Sequence, residues 1–343
     1  MNIRIVSYTA RGEQTARRVS DALTSAGHET RAFALPKFCK NGDEPLTVSA
    51  GEWARDGFLH ADALVFCCAS GIAVRAIAPW VKDKTTDPAV LVLDEAGSFV
   101  IPLLSGHIGG ANALATTLSD ALGATPVIST ATDVNGLFAV DVFAAKNHLA
   151  ITDMALAKKV SAALLSGEPV GFRADLPVFG PLPKGLTEGD AKLGVYVGRD
   201  AAAAPYSETL VLIPQRFAIG MGCRKHKDAD AIEAFVTRQL SACGVSKQEI
   251  RCIASIDLKK DEPGLIALSD SLGVPFYTYS ADALSAVPGE FSGSAFVKET
   301  TGVDSVAERA AVKASGGALF IKKQAEDGMT FALAAYREEV SFE

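Results

Sequence analysis

Apolar runs of five or six residues, each followed by apolar residues three and four apart, constrain this chain more than any other feature. Residues 3–8 read as a buried strand, and residues 13–26 then place Ala16, Val19, Leu23 and Ala26 at helical spacing before Gly27 stops the helix. Further strands are expected at 63–68, at 90–93 and briefly at 126–129, with a helix over about 108–122 ended by Gly123. Residues 94–97 form a turn between two apolar runs, which predicts a hairpin. The alternation resumes near residue 215. A strand starts at Phe217, and a helix from Asp228 carries Ile232, Phe235, Val236 and Leu240 on one side. Strands at 250–256 and 275–279, helices at 263–272 and from Asp304 or Ser305 to Ser315, and a hairpin of 318–321 with 330–335 complete the pattern. Between these halves lie one clear helix (152–165), Gly- and Pro-rich sequence through Gly185, and an alanine loop at 201–204. The expected fold class is therefore α/β. N-terminal (1–133) and C-terminal (215–343) parallel-sheet domains flank a smaller middle domain (134–214).

Charge and cysteine use narrow the partners. The net charge is −7 with no Lys/Arg block, which argues against nucleic acid, because neutralising phosphates needs a basic face. No apolar run approaches the roughly 20 residues that cross a bilayer, and the first residues enter a strand without a signal-peptide pattern. A cytoplasmic location with no membrane partner is expected. The six cysteines form no CxxC pair, and the five histidines form no HxH or HExxH motif. Neither a disulfide framework nor a protein-bound metal is indicated.

Three segments could carry chemistry. In Ser105-Gly-His-Ile-Gly-Gly-Ala-Asn112 an apolar strand runs into glycines that open a helix. Helix N-termini leave N–H groups unpaired and attract anions, and glycine admits a ligand close to the backbone. Ser105, Gly106, Gly109, Gly110 and Asn112 are candidate binding residues, and His107 is the leading candidate for a general base. The alternative is tight helix–sheet packing with His107 as a cap. In the second segment, Ser70, Gly71 and Arg75 follow a strand, and Asp94 and Glu95 end the next, where either carboxylate could orient His107 or act as the base. The third, Gly220-Met-Gly-Cys-Arg-Lys225, reads as a glycine turn after a strand. Gly220 and Gly222 would form an anion cradle there beside Arg224 and Lys225, with Cys223 open to activation by nearby cations. Ser255, Lys259 and Glu262 are further candidates, with a simple ion pair as the alternative for the last two.

Together, residues 70–79, 104–112 and 220–225 resemble the signature stretches of the cobalt-precorrin 5A hydrolase (CbiG) family, and 255–259 and 302–308 resemble its C-terminal region. The likeness departs at Met221 and His226, where the family pattern has Ile or Val and Gly. The resemblance implies hydrolysis of a ring-A δ-lactone on a ring-contracted cobalt tetrapyrrole, with the meso carbon and its methyl leaving as acetaldehyde. It implies no cofactor beyond the cobalt carried by the substrate, and transient contact with neighbouring pathway enzymes. The C-terminal half also resembles stand-alone CobE-type proteins, so a corrinoid carrier without catalysis is the competing expectation. A nucleotide-dependent enzyme would carry GxGxxG or a P-loop after a strand, and neither occurs.

Overall fold

A computed structural model describes residues 1–343 apart from Asn41, Lys84, Thr85, Ile108 and Glu343, and apart from the side chains of Ala295 and Phe296. The chain forms two compact units, Met1–Val142 and Phe143–Glu343. No helix among the described residues is long and apolar enough to cross a membrane.

The first unit contains β1 (Asn2–Ser7), α1 (Ala10–Ser25), β2 (Glu29–Ala34), β3 (Glu44–Pro45), α2 (Ala50–His60), β4 (Ala63–Cys67), α3 (Ser70–Ile77), β5 (Ala89–Leu93), β6 (Phe99–Leu104), α4 (Ala111–Leu122), β7 (Thr125–Pro126) and α5 (Ala131–Val134), and it ends within α6 (Val140–Lys146). Its sheet has the order β3-β2-β1-β4-β5-β6-β7. The first five of these strands are parallel, whereas β6 runs antiparallel to β5 and β7 follows β6. Alternation explains why the central strands are apolar throughout. Ile3, Ile5, Ala63 and Val65 pack with Val19 and Leu23 of α1 and Leu118 of α4. On the other face Val6, Leu64 and Phe66 meet Trp53 of α2 and Ala73 of α3. The sequence pattern misses β2 and α2, yet α2 carries a readable capping box, with Ser49 and Glu52 satisfying each other's backbone. Ile108, where the sequence expectation starts a helix, lies outside the described residues, and α4 begins at Ala111.

The second unit holds two larger sheets. The middle one uses β8 (Leu149–Ile151), β9 (Val170–Ala174), β11 (Leu186–Thr187), β12 (Leu193–Val197) and β13 (Glu208–Pro214) in the order β11-β9-β12-β13-β8, with α7 (Met154–Leu165) packed on it. The region thus contains a sheet of its own. Its strands were hard to read because glycines interrupt them: Gly171 and Gly194 leave room for the Tyr206 ring. The C-terminal sheet, β16-β15-β14-β18-β17, uses β14 (Phe217–Cys223), β15 (Ile250–Ile256), β16 (Phe276–Tyr279), β17 (Ala318–Glu326) and β18 (Met329–Ala335). β14, β15 and β16 are parallel, and the β17–β18 hairpin joins antiparallel to β14. Its helices are α8 (Ala229–Ala242), α9 (Pro263–Leu272), α10 (Ala281–Ser285), α11 (Ala295–Thr301) and α12 (Val306–Ser315). The end of the chain returns to the middle region. There β19 (Val340–Ser341) pairs in parallel with β10 (Val178–Phe179), Asn147 exchanges hydrogen bonds of 2.9 and 2.7 Å with the Ser341 backbone, and the Phe342 ring lies against Phe143 and Phe172. This return explains why the middle and C-terminal parts form one compact unit.

Candidate functional site

The Ser105–Asn112 loop is built around its side chains. Ser105 is buried and takes a positive φ of 55°, and its hydroxyl donates to Asp87 O at 2.9 Å. A Cβ at Gly106 would meet Asn112 Oδ1 at 2.8 Å, and one at Gly109 would meet Ser105 O at 2.8 Å. Gly110 caps α4 with a φ of 85°, which glycine adopts without strain. Gly106 and Gly109 therefore serve close packing, and Gly110 serves the left-handed turn. Three amides at the end of the loop are used within it: Gly110 N–H donates to His107 O, Ala111 N–H to Ser105 O and Asn112 N–H to Gly106 O. Gly110, expected among the residues that bind an anion at this helix start, has its amide already used within the loop.

That packing delivers His107 between two carboxylates. His107 Nε2 lies 2.8 Å from Asp133 Oδ2, and Nδ1 lies 3.2 Å from Asp141 Oδ2. Asn112 donates to the same Asp133 oxygen at 3.0 Å and to Thr130 Oγ1 at 3.1 Å, fixing the carboxylate from the helix side. The Asp141 hydrogen bond, and then that of Asp133, raise the His107 pKa to about 9 against an opposing effect of burial. At neutral pH the ring is an imidazolium with both N–H groups engaged, the form that donates a proton. A pKa raised above neutrality favours the charged ring, a proton donor, where the sequence suggested a general base. The His107 and Asp141 side chains are each 15% exposed and that of Asp133 is 37% exposed, so Asp133 is the member of the cluster open to solvent.

Asp94 and Glu95 are at the opposite edge of the sheet. β6 runs back along β5, with Leu93 opposite Val100 and Val90 opposite Leu104. At about 3.3 Å per residue, the strand alone puts roughly 13 Å between the 94–97 turn and Ser105. Neither carboxylate can orient His107. Asp94 instead closes the hairpin, accepting from Ala96, Ser98 and Phe99 N–H. Burial opposes its ionisation, but those N–H groups outweigh burial and hold its pKa low. Glu95 Oε1 accepts from Thr9 Oγ1 at 2.6 Å, beside the start of α1. Ser70, Gly71 and Arg75 share this edge, and Arg75 turns back onto its own helix, donating to Gly71 O at 2.9 Å. The structure thus brings Ser70, Gly71 and Glu95 to one edge and Ser105–Asn112 to the other.

In the C-terminal sheet, Gly220 and Gly222 lie inside β14, not in a turn after it. They pair with Ala332 and Thr330 of β18. The cradle expected there does not form: Gly220 faces the backbone of α12, and Gly222 faces Thr330 Oγ1. Cys223, Lys259 and Glu262 do come together at the strand ends. Glu262 is buried, pairs with Lys259 Nζ at 2.8 Å and accepts from His226 N–H at 2.6 Å. Burial works against its charge, but these partners prevail and lower its pKa. Ser255 is buried and donates to Met221 O. Arg224 and Lys225 are exposed. Burial pushes the Cys223 thiol up to about 11, and Lys259 and Lys227 offset it only partly, so the thiol is not activated. Alkylation of Cys223 by iodoacetamide at pH 8, followed by peptide mass spectrometry, is accordingly expected to be at least about tenfold slower than that of a free cysteine peptide.

Family models cover most of the chain. The cobalamin synthesis G N-terminal model matches residues 52–133, the cobalamin biosynthesis central region 138–214, and the cobalamin synthesis G C-terminus 217–334. A cobalt-precorrin-5A hydrolase from Salmonella typhimurium is 38% identical over 97% of both chains. One from Priestia megaterium is 32% identical over 96% of this chain and 94% of its own. The chain belongs to the CbiG family. Protein CobE from Sinorhizobium sp is 32% identical over 34% of this chain and 77% of its own length. Within this CbiG chain, sequence reading missed Asp133 and Asp141, which lie 26 and 34 residues beyond His107 in regions without a motif. It also missed Thr9, although a Thr just before a helical pattern is a readable cap.

Proposed function

We propose that this chain adds water across the ring-A δ-lactone of cobalt-precorrin 5A and releases the meso carbon with its methyl as acetaldehyde, giving cobalt-precorrin 5B. The observation that carries this reading is the 38% identity over 97% of both chains to the Salmonella hydrolase. The His107 cluster supplies groups suited to the chemistry. Asp133, the exposed carboxylate, accepts the proton of the attacking water. His107, charged at neutral pH, donates a proton to the departing lactone oxygen, while Asp141 and Asn112 hold the pair in register. Cobalt arrives within the substrate, so the protein needs no cofactor of its own. The reaction belongs in the cytoplasm, with transient contact to the enzymes that make and consume these unstable intermediates.

The test is anaerobic incubation of the purified chain with cobalt-precorrin 5A, following acetaldehyde and corrinoid mass together. Acetaldehyde stoichiometric with lactone loss is the expected result. Tight binding without acetaldehyde would replace the hydrolase with a carrier. Glu95→Gln, at the other edge of the sheet, is expected to keep turnover within about threefold of wild type, and a 100-fold loss would move the catalytic edge to Thr9 and Glu95.

A further inference from the structure

We infer that a cavity of about 600 Å³ in the second unit binds a carboxylate-bearing edge of a corrinoid, gripped by Arg251. The choice of ligand rests on the proposed function. The cavity itself rests on geometry within this unit, where its walls include Lys146, His148, Arg216, Arg251, Tyr336 and Glu338.

The cations on this wall are not equivalent. Arg216 is already neutralised, by Glu249 at 3.0 Å and Glu338 at 3.6 Å. Arg251 and Lys146 have no carboxylate within 4.0 Å among the described residues. The Arg251 guanidinium carbon instead lies 4.2 Å from the centroid of the Tyr336 ring, and Nη2 donates to His148 Nε2 at 2.5 Å. Burial, and then the charge of Arg251, lower the His148 pKa, so the ring accepts this bond as a neutral imidazole. Stacking and the His148 bond fix the plane of the fork while leaving most of its five N–H donors uncommitted. A fixed guanidinium with free donors beside an organic-sized cavity suits a carboxylate on a larger molecule. His148 is held in this position at a φ of 52°, a left-handed conformation that an L-residue adopts at some cost. Its backbone is tied down by bonds to Ala145 O and from Gln215 N–H. Lys146, exposed on this wall, adds a second positive charge.

The site is tested with two stable probes sharing one ring: cobyrinic acid, whose side-chain carboxyls are free, and its heptamethyl ester, which carries none. Binding to the full chain is followed by the visible spectrum of the corrinoid. Arg251→Gln is expected to weaken cobyrinic acid about tenfold or more, as loss of a charge-assisted pair should, and to leave the ester unchanged. Lys146→Glu, at an exposed position, is expected to act in the same direction, and it decides the question if Arg251→Gln does not fold. Equal affinity of wild type and both variants for cobyrinic acid, or equal weakening for acid and ester, overturns the site. So does wild-type protein with no affinity for cobyrinic acid. In each of these cases acetaldehyde release from cobalt-precorrin 5A by the wild type leaves the hydrolase reading standing, and its absence removes that reading as well.

Discussion

Replacing His107 by asparagine is expected to slow acetaldehyde release at least about 100-fold under saturating substrate, the low end of what a positioned acid or base contributes. Asparagine keeps a donor toward one carboxylate, so the loss would report the missing proton and charge more than a collapsed loop. The pH profile separates these causes further. His107 has a folded-state pKa of about 9, raised from 6.5 mainly by the hydrogen bonds of Asp141 and Asp133. Turnover that needs the imidazolium therefore declines as pH rises through about 9. Stability has the same sign: a pKa raised on folding contributes stability that is complete below about pH 6.5 and is lost as pH rises through about 9. Melting temperature should thus fall between pH 7 and 10 in the wild type and change less in His107→Asn. Turnover within threefold of wild type in the variant would remove His107 from the chemistry.

Gly220→Ala is expected to be the most damaging single methyl in the second unit. The new Cβ would lie 2.8 Å from Ala307 C and 2.9 Å from Ala311 N, and closer still to the Ala307 oxygen. These are backbone atoms of α12, a helix that presents Ala307, Ala310 and Ala311, all buried, and so sits low on the sheet. No side chain can rotate away, so strand or helix must shift, at a cost of about 3 kcal/mol. For a unit of this size that is a fall of roughly 6–12 °C in melting temperature. Gly222→Ala is the control, because its Cβ would meet only Thr330 Oγ1, at 2.6 Å, on a side chain that can rotate. A Gly220→Ala loss no larger than that of Gly222→Ala would show that α12 yields easily.

The α/β class was legible because strands such as β4 are apolar at every position, and that pattern requires cover on both faces. The hairpin at 94–97 was legible too, and it already implied that residues 105–112 return to the far end of the sheet. Placing Asp94 or Glu95 beside His107 ignored the direction of β6. The glycine cradle at 220–225 failed for a different reason. A glycine that admits a ligand and one that admits a helix look alike in sequence, and the helix over Gly220 enters some 85 residues later. Asp133 and Asp141 were illegible because only the path through α4, β7 and α5 brings them back to His107. The middle sheet hid behind Gly171 and Gly194, whose strands lose apolar surface locally and regain it from Tyr206.

The return of β19 to β10 also bears on how a gene for such a chain could be divided. The gap between the central and C-terminal family regions, residues 215–216, is where a simple fission of the gene would fall. A break there would part β10 from β19 and separate Phe342 from the Phe143 and Phe172 rings it lies against. Exposed aromatic rings and an open strand edge favour association. The two products would behave as complementary fragments that must find each other, not as modules free to travel through evolution separately.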